Sequence, residues 1–251
     1  LTFPGTYAMM ARRHFHEHDS SHDDLVHISV KNHMHGFENQ DAHIRKQVSF
    51  EKAESGFMVA DPLTLYDCCP TSDGASCVIL AADHVVQQFT DDPVWIRSSG
   101  AASDRLALHD RPSITQLVAT QKASQLAYSA AGITANDVDL AEVHDCFTIA
   151  ELMATEDLGF AQHGQGGNFS REGKGILNEG SVCINPSGGL KSKGHPLGAT
   201  GTGQAVEVFK QLRGSVEQSR QVRDAEIGLT HNVGGSGATC AVHIFGRERN
   251  E

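Results

Sequence analysis

From residue 94 to residue 246 the chain alternates two periodicities, and this constrains its fold more than any other feature. VWIRSSGAA (94–102) predicts a strand. SITQLVATQKASQLAYSAAG (113–132) predicts a helix closed by Gly132, with Leu117, Val118, Ala123, Leu126 and Ala127 at roughly helical spacing. Val138 to Val143 reads as a short strand, and FTIAELMATEDLGF (147–160) as a helix ending at Gly159. A glycine-rich excursion (164–180) follows, then a helix from about Gly198 to Leu212 and the strands AEIGLTHNV (225–233) and ATCAVHIFG (238–246). The order β-α-β-α…α-β-β argues for a layered α/β domain with helices on a mixed sheet.

The first 92 residues are less regular. A helix is expected from Tyr7 to His18, then a polar, histidine-rich stretch to about His43. His22, His27, His33, His35 and His43 are expected at its surface. SCVILAA (76–82) is a continuous apolar run after a turn signal and reads as a buried strand. Asp91-Asp92-Pro93 reads as a linker, which divides the chain into 1–92 and 93–251.

Charge and cysteine content narrow the function. The 31 acidic against 20 basic residues give a formal charge of −11, which argues against a nucleic-acid groove or an anionic membrane surface. No run of 18 apolar residues would span a bilayer. Cysteines 68, 69, 77, 146, 183 and 240 show no C-x-x-C spacing. They read as free thiols of a reducing cytoplasm.

Several motifs fail. RRHFHEH (12–18) lacks the second histidine of H-E-x-x-H, so no metal is expected there and its flanks read as solvated. Gly173-Lys174 is followed by Gly175, so no phosphate loop forms, and GGSGA (234–238) is not a nucleophile elbow. Three stretches remain. LAEV runs into His144-Asp145-Cys146-Phe147; NPSGGLKSKGHPLGATG (185–201) carries His195 among five glycines and two prolines; IGLTHNV runs into Gly234-Gly235. Loops after strand C-termini gather ligands in layered α/β folds. A cysteine and a histidine there form an acid/base pair, and glycine N–H groups supply an oxyanion hole.

These stretches, with TFPGTYAMMARRH (2–14), MVADPLTLYDCCPTSDGA (58–75) and HNVGGSGATCAVHIF (231–245), resemble the thiolases, in particular the sterol-carrier-protein-type and archaeal acetyl-CoA acetyltransferases. The resemblance implies a fold of two αβα halves with mixed five-stranded sheets, the first half incomplete in this chain. It implies thioesters of coenzyme A as substrates, no further cofactor, and Claisen condensation of two acyl-CoA or its thiolytic reverse. His195 would activate a nucleophilic cysteine, and Cys146 of HDCF would be the acid/base at the second substrate's α-carbon. His144 would hold a water of the first oxyanion hole, and Gly234 would lend its N–H to the second. Cys69 lies in the loop that touches coenzyme A in the family, and Asn232 stands where other thiolases carry the cysteine of Cys-x-Gly. Implied partners are a second copy or three more, an OB-fold zinc protein and hydroxymethylglutaryl-CoA synthase.

The chain departs from the pattern at one point. Thiolases place the nucleophilic cysteine at a helix N-terminus in a Cys-Ala-Ser-like context, and none of the six cysteines fits. The expectation is therefore the C-terminal two-thirds of a thiolase, inactive alone. Two other readings stand beside it: a thiolase-like acyl-CoA aldolase that needs no nucleophilic cysteine, and a non-catalytic scaffold that binds acyl-CoA or a protein.

Overall fold

The computed structural model describes residues 2–249. In chain order its elements are α1 (Phe3–Glu17), α2 (His22–Glu38), α3 (Phe50–Glu54), β1 (Met58–Ala60), β2 (Leu63–Thr64), α4 (Asp83–Val86), β3 (Trp95–Ser103), α5 (Val118–Ala131), β4 (Leu140–Glu142), α6 (Thr148–Asp157), α7 (Gly166–Arg171), β5 (Cys183–Ile184), α8 (Gly189–Ser192), α9 (Thr200–Leu212), β6 (Ile227–Gly234) and β7 (Thr239–Gly246). β1 and β2 form a small antiparallel ribbon. The other five strands make one mixed sheet in the order β3-β7-β6-β4-β5, antiparallel from β3 to β6 and parallel from β6 to β5.

Alternation along the strands sorts the layers. Ala141, Leu229, Val242 and Ile244 point to one face, where Ala119, Ala123 and Ala127 of α5 and Ala154 of α6 cover them. Leu140, Cys183 and Phe245 point to the other, under Val208 and Leu212 of α9. The sheet is thus covered by helices on both faces, as the β/α alternation predicts. α5 offers an alanine face, which lets it lie close to the sheet; its start is five residues later than expected, because 113–117 remains irregular.

The first 92 residues correct three expectations. The polar stretch after His18 is largely a helix, α2, with a buried polar face. Lys31 donates to the Ile184 carbonyl at 2.8 Å and pairs with Glu151 at 2.9 Å, while Asn32 donates to Glu151 at 2.7 Å. His33 and His35 are buried in place of solvated, whereas His22 and His27 are half-buried and His43 is exposed. His35 Nδ1–H donates to the Asn185 carbonyl at 3.0 Å and Nε2 accepts the Leu177 N–H at 3.2 Å, which defines one neutral tautomer. His14 is buried too, between Ser20 and Glu156. The third correction concerns SCVILAA, which is neither buried nor a strand. Ile79 is 91% exposed and Leu80 is 73% exposed, because no neighbouring strand among the described residues offers this run a ladder. The glycine-rich excursion also holds a short helix, α7, packed on α2.

Buried titratable groups set the acid limb of stability. Burial lowers His33 to about 4 and both His35 and His231 to about 3, from an ordinary value of 6.5. The unfolded chain protonates these rings first, so they add stability as pH rises from about 4 to 6.5. Asp145 and Asp157 act with the opposite sign. Burial raises both to about 7, so stability falls as pH rises from 3.8 through 7. The two sets oppose each other between about pH 4 and 6.5. In urea titrations at several pH values, His35→Gln should lower the slope of stability against pH in that window by about 1 kcal/mol per pH unit; an unchanged slope in the variant would refute the assignment.

Candidate active site

The three sequence stretches meet at one edge of the sheet, and a buried carboxylate joins two of them. Asp145, in the turn after β4, accepts the Leu190 N–H at 2.7 Å, the Lys191 N–H at 3.2 Å and the Asn32 side chain at 2.9 Å. It thereby fixes the HDCF turn to the 185–201 segment and both to α2. Gly189 permits the approach: its φ is +62°, and a Cβ there would lie 2.2 Å from the Asp145 carboxylate. A second carboxylate, Glu142, takes the Ser187 N–H at 3.0 Å and its hydroxyl at 2.7 Å. Asn185 in turn accepts the Val143 N–H at 2.8 Å. The segment has no regular structure of its own beyond one turn of helix, so these bonds shape it.

Residues 68–72 run between the same two loops. Cys68 forms an antiparallel bridge with Phe147, and Cys69 N–H donates to the Cys146 carbonyl at 3.1 Å. Thr71 pairs with His195, and the Ser72 hydroxyl accepts the His195 N–H at 3.2 Å. Gly194, at φ +112°, lets the chain turn beneath this contact.

His195 emerges with a defined protonation. Its Nδ1 lies 2.7 Å from the Thr200 hydroxyl, whose own proton goes to the Pro196 carbonyl at 3.1 Å. The hydroxyl must then accept from Nδ1–H, which leaves the lone pair on Nε2. Burial, with Lys193 nearby, lowers the pKa of His195. The ring is a neutral base with its free nitrogen directed away from the bond to Thr200. His144 meets it edge-on, ring centroids 5.0 Å apart. His144 is held neutral by burial and by His195, His231 and Lys193, and its Nδ1 is buried with no protein partner. The main-chain N–H of His144 donates to His231 Nδ1 at 3.4 Å.

Cys146 is 7% exposed, and burial pushes its thiol up. Cys69 is raised to about 11, first by burial and then by Asp145, and Cys68 to about 12 by burial. Asn232 donates to Gln204 on α9 at 3.1 Å, one turn from Thr200, so it lies at the start of the helix that holds His195. Gly234 is the last residue of β6. Arg111 grips the carbonyls of Gly235 and Ser236 just beyond it, at 3.4 Å and 2.9 Å. Cys146, His144, His195, Cys69 and Asn232 are therefore tied into one region by direct contacts or a single intervening residue. Two clefts flank it. One of about 850 Å³ is lined by Ser72, Lys193, Pro196, Thr200 and Lys210. The other, of about 620 Å³ and mainly apolar, is lined by Phe3, Met9, Leu106, Ile114 and Ser236. Only the first touches the His195 segment.

Sequence reasoning missed Thr200, Ser72 and Asp145 as supports. Thr200 carried a signal, lying five residues after His195 in the same segment; Ser72 and Asp145 act through contacts that no local pattern reveals. Among the described residues no group of three or more His, Cys, Asp or Glu side chains is arranged to hold a metal, and no helix is long and apolar enough to cross a membrane.

Comparison with known proteins agrees with this architecture. Residues 100–247 match the family described as thiolase C-terminal domain-like. An acetyl-CoA acetyltransferase of Methanothermobacter thermautotrophicus is 49% identical over 98% of this chain and 64% of its own length. One of Methanocaldococcus jannaschii is 41% identical over 99% of this chain and 64% of its own. Human sterol carrier protein 2 is 36% identical over 94% of this chain and 44% of its own. The chain thus spans under two-thirds of the length of these relatives. Among solved structures, the Ltp2-ChsH2(DUF35) aldolase superposes with a TM-score of 0.85 at 22% identity, over 96% of this chain and 62% of that one.

Two variants probe the supports. Gly189→Ala drives a methyl into Asp145 and should destabilise the fold by about 2–4 kcal/mol in urea unfolding; a loss under 0.5 kcal/mol, the usual surface range, would contradict the geometry. Thr200→Val should redistribute the His195 proton between Nδ1 and Nε2 in nitrogen NMR, and Thr200→Ser should restore it. Identical spectra for all three would remove Thr200 from the site.

Proposed function

This chain belongs to the thiolase superfamily, and we propose that the complete protein is an acyl-CoA acyltransferase. It joins two acetyl-CoA into acetoacetyl-CoA or cleaves a 3-ketoacyl-CoA with coenzyme A. The observation that carries the proposal is the neutral His195 base beside His144, on a loop locked to Cys146 by Asp145. In this reading His195 Nε2 takes the proton of a nucleophilic cysteine, whose sulfur displaces coenzyme A as its thiolate from the first thioester, and the protonated Nε2 then donates to the oxygen of the second thioester. Cys146 takes a proton from the α-carbon of the second acyl group, leaving the C–H electron pair in an enolate. That oxygen is met by His195 and by a water on His144, whose unpartnered Nδ1 suits a polar ligand. Gly234 lends its N–H to the acyl oxygen at the nucleophile. Preorganised donors of this kind are what make a weakly acidic α-proton removable. Cys69 and Asn232 border the thioester. The cleft next to His195 receives the coenzyme, and Lys193 suits its phosphates, whereas Lys210 on its rim is paired with Asp41.

The nucleophile is supplied from outside these 251 residues. Reactive cysteines sit where positive charge lowers the thiol pKa. Burial instead raises Cys68, Cys69 and Cys240 to between about 11 and 12, and pushes Cys146 and Cys183 up. Cys77 lies in the exposed, irregular run without a helix start. The proposed division follows: residues 1–92 hold the loop region and the end of the first half, and 93–251 the second half. The exposed run SCVILAA would then be covered by the remainder of the protein. Assembly into a dimer or tetramer, and with a zinc-bearing OB-fold protein and hydroxymethylglutaryl-CoA synthase, is part of the same proposal. So is a cytoplasmic setting.

The acyl-CoA aldolase is the second reading, since one structural neighbour is an aldolase and none of the six cysteines of this chain fits the nucleophile. Two measurements separate them. The 251-residue chain should form no covalent acetyl adduct with acetyl-CoA by intact mass; an adduct with turnover would sink the division proposed above. In the complete protein, Cys146→Ala should stop exchange of the α-protons while a cysteine elsewhere still becomes acetylated. Absence of any acetylated cysteine in the active wild-type protein would favour the aldolase.

A further inference from the structure

One buried amide on α9, without a part in the mechanism above, bonds to three groups at the end of the sheet where the site lies. The parallel pairing of β4 with β6 ends at Glu142, opposite Thr230. At that end Gln204, fully buried, donates through Nε2 to the Glu142 carbonyl at 3.3 Å and to the His231 carbonyl at 3.1 Å, one on each strand. Its Oε1 accepts from Asn232 Nδ2 at 3.1 Å. Carbonyl oxygens only accept, so the amide of Gln204 has one possible orientation: both of its protons go to the strands, and its oxygen faces Asn232. Asn232 must answer with its own amino group.

We propose that Gln204 is a positioning residue for Asn232: it fixes the Asn232 amide so that Oδ1 is presented, as a hydrogen-bond acceptor, to the bound thioester. The inference rests on the reading of Asn232 as a neighbour of the thioester.

Three further observations agree with this role. Asn232 Oδ1 has no hydrogen-bond partner among the described residues, so the oxygen is the part of the amide left for a ligand. The amide rests on the first turn of α9, where a Cβ at Gly201 would lie 3.5 Å from Nδ2 and 3.6 Å from Cγ. Thr200 and Gln204 are one turn apart on the same helix, so one face of α9 holds both the His195 proton and the Asn232 amide. The orientation of Gln204 is anchored in the sheet itself, because leaving two strand carbonyls facing an amide oxygen would forfeit both bonds and set like dipoles together.

The test uses the complete protein with nitrogen-15 in its asparagine side chains. The Asn232 amide, identified by its loss in Asn232→Ala, should exchange its protons with water severalfold more slowly than a solvated asparagine. Gln204→Met, of similar length and without an amide, should abolish that protection. Gln204→Glu, whose buried carboxyl stays protonated, keeps an acceptor for Asn232 and one proton for the carbonyls, and should restore it. In acyl transfer, kcat/KM should fall about tenfold in Gln204→Met and in Asn232→Ala, and no more than about twofold further in the double variant, with recovery in Gln204→Glu. Two losses that multiply in full, or an undiminished rate in Gln204→Met beside a reduced one in Asn232→Ala, overturn the inference. So does an unprotected Asn232 amide in the wild-type protein, a result that stands even if Gln204→Met fails to fold. Should the amide signals follow the prediction while Asn232→Ala keeps full activity, the orientation by Gln204 holds and the placing of Asn232 at the thioester falls.

Discussion

The carboxylate of Asp145 is the constraint on which the rest of the site depends. It accepts two main-chain N–H groups of one loop and a side-chain amide of α2 while belonging to the other loop. Remove it and the two loops keep the Val143–Asn185 bond, the edge contact of His144 with His195 and the connection through residues 68–72, but lose the acceptor that also ties them to α2. Burial and the nearby Glu151 push its pKa to about 7, so its charge is costly and must be met by those donors. A layer of polar contacts thus replaces apolar packing where the site is built. This layer extends through Lys31, Asn32, Glu151 and Asn185, all buried and all bonded.

Much of the fold was legible because the residues repeat. β6 and β7 alternate between two covered faces, and α5 carries small residues at helical spacing, so local pattern and tertiary role coincide. α2 was misread for the converse reason. Its inward face carries Lys31, Asn32, His33 and His35, residues that normally face water. They are buried because their partners lie more than a hundred positions away in several cases, at Ile184, Asn185 and Glu151. Periodicity of hydrophobicity carries no trace of such pairing. SCVILAA failed differently: its pattern encodes how it would sit within a sheet, and says nothing about whether that sheet is present.

The site was legible as motifs and opaque as geometry. HDCF and GHP stood out because a thiol and an imidazole beside glycines have few uses in common. The protonation of His195 was beyond reach, since it depends on a hydroxyl whose single proton is already given to Pro196. The decisive fact there is the direction of one hydrogen bond, and direction is a property of the folded chain.

The exposed run from Val78 to Leu80 has a biosynthetic consequence. An exposed apolar stretch that includes β-branched residues pairs with whatever strand reaches it first. While it is uncovered, the polypeptide is a poor companion to its own copies, and the excess of negative charge becomes its chief safeguard against clumping. If the remainder proposed above covers that run early, folding and assembly become one event. Abundance of the intact protein would then be governed as much by timing at this edge as by the stability of the sheet behind it.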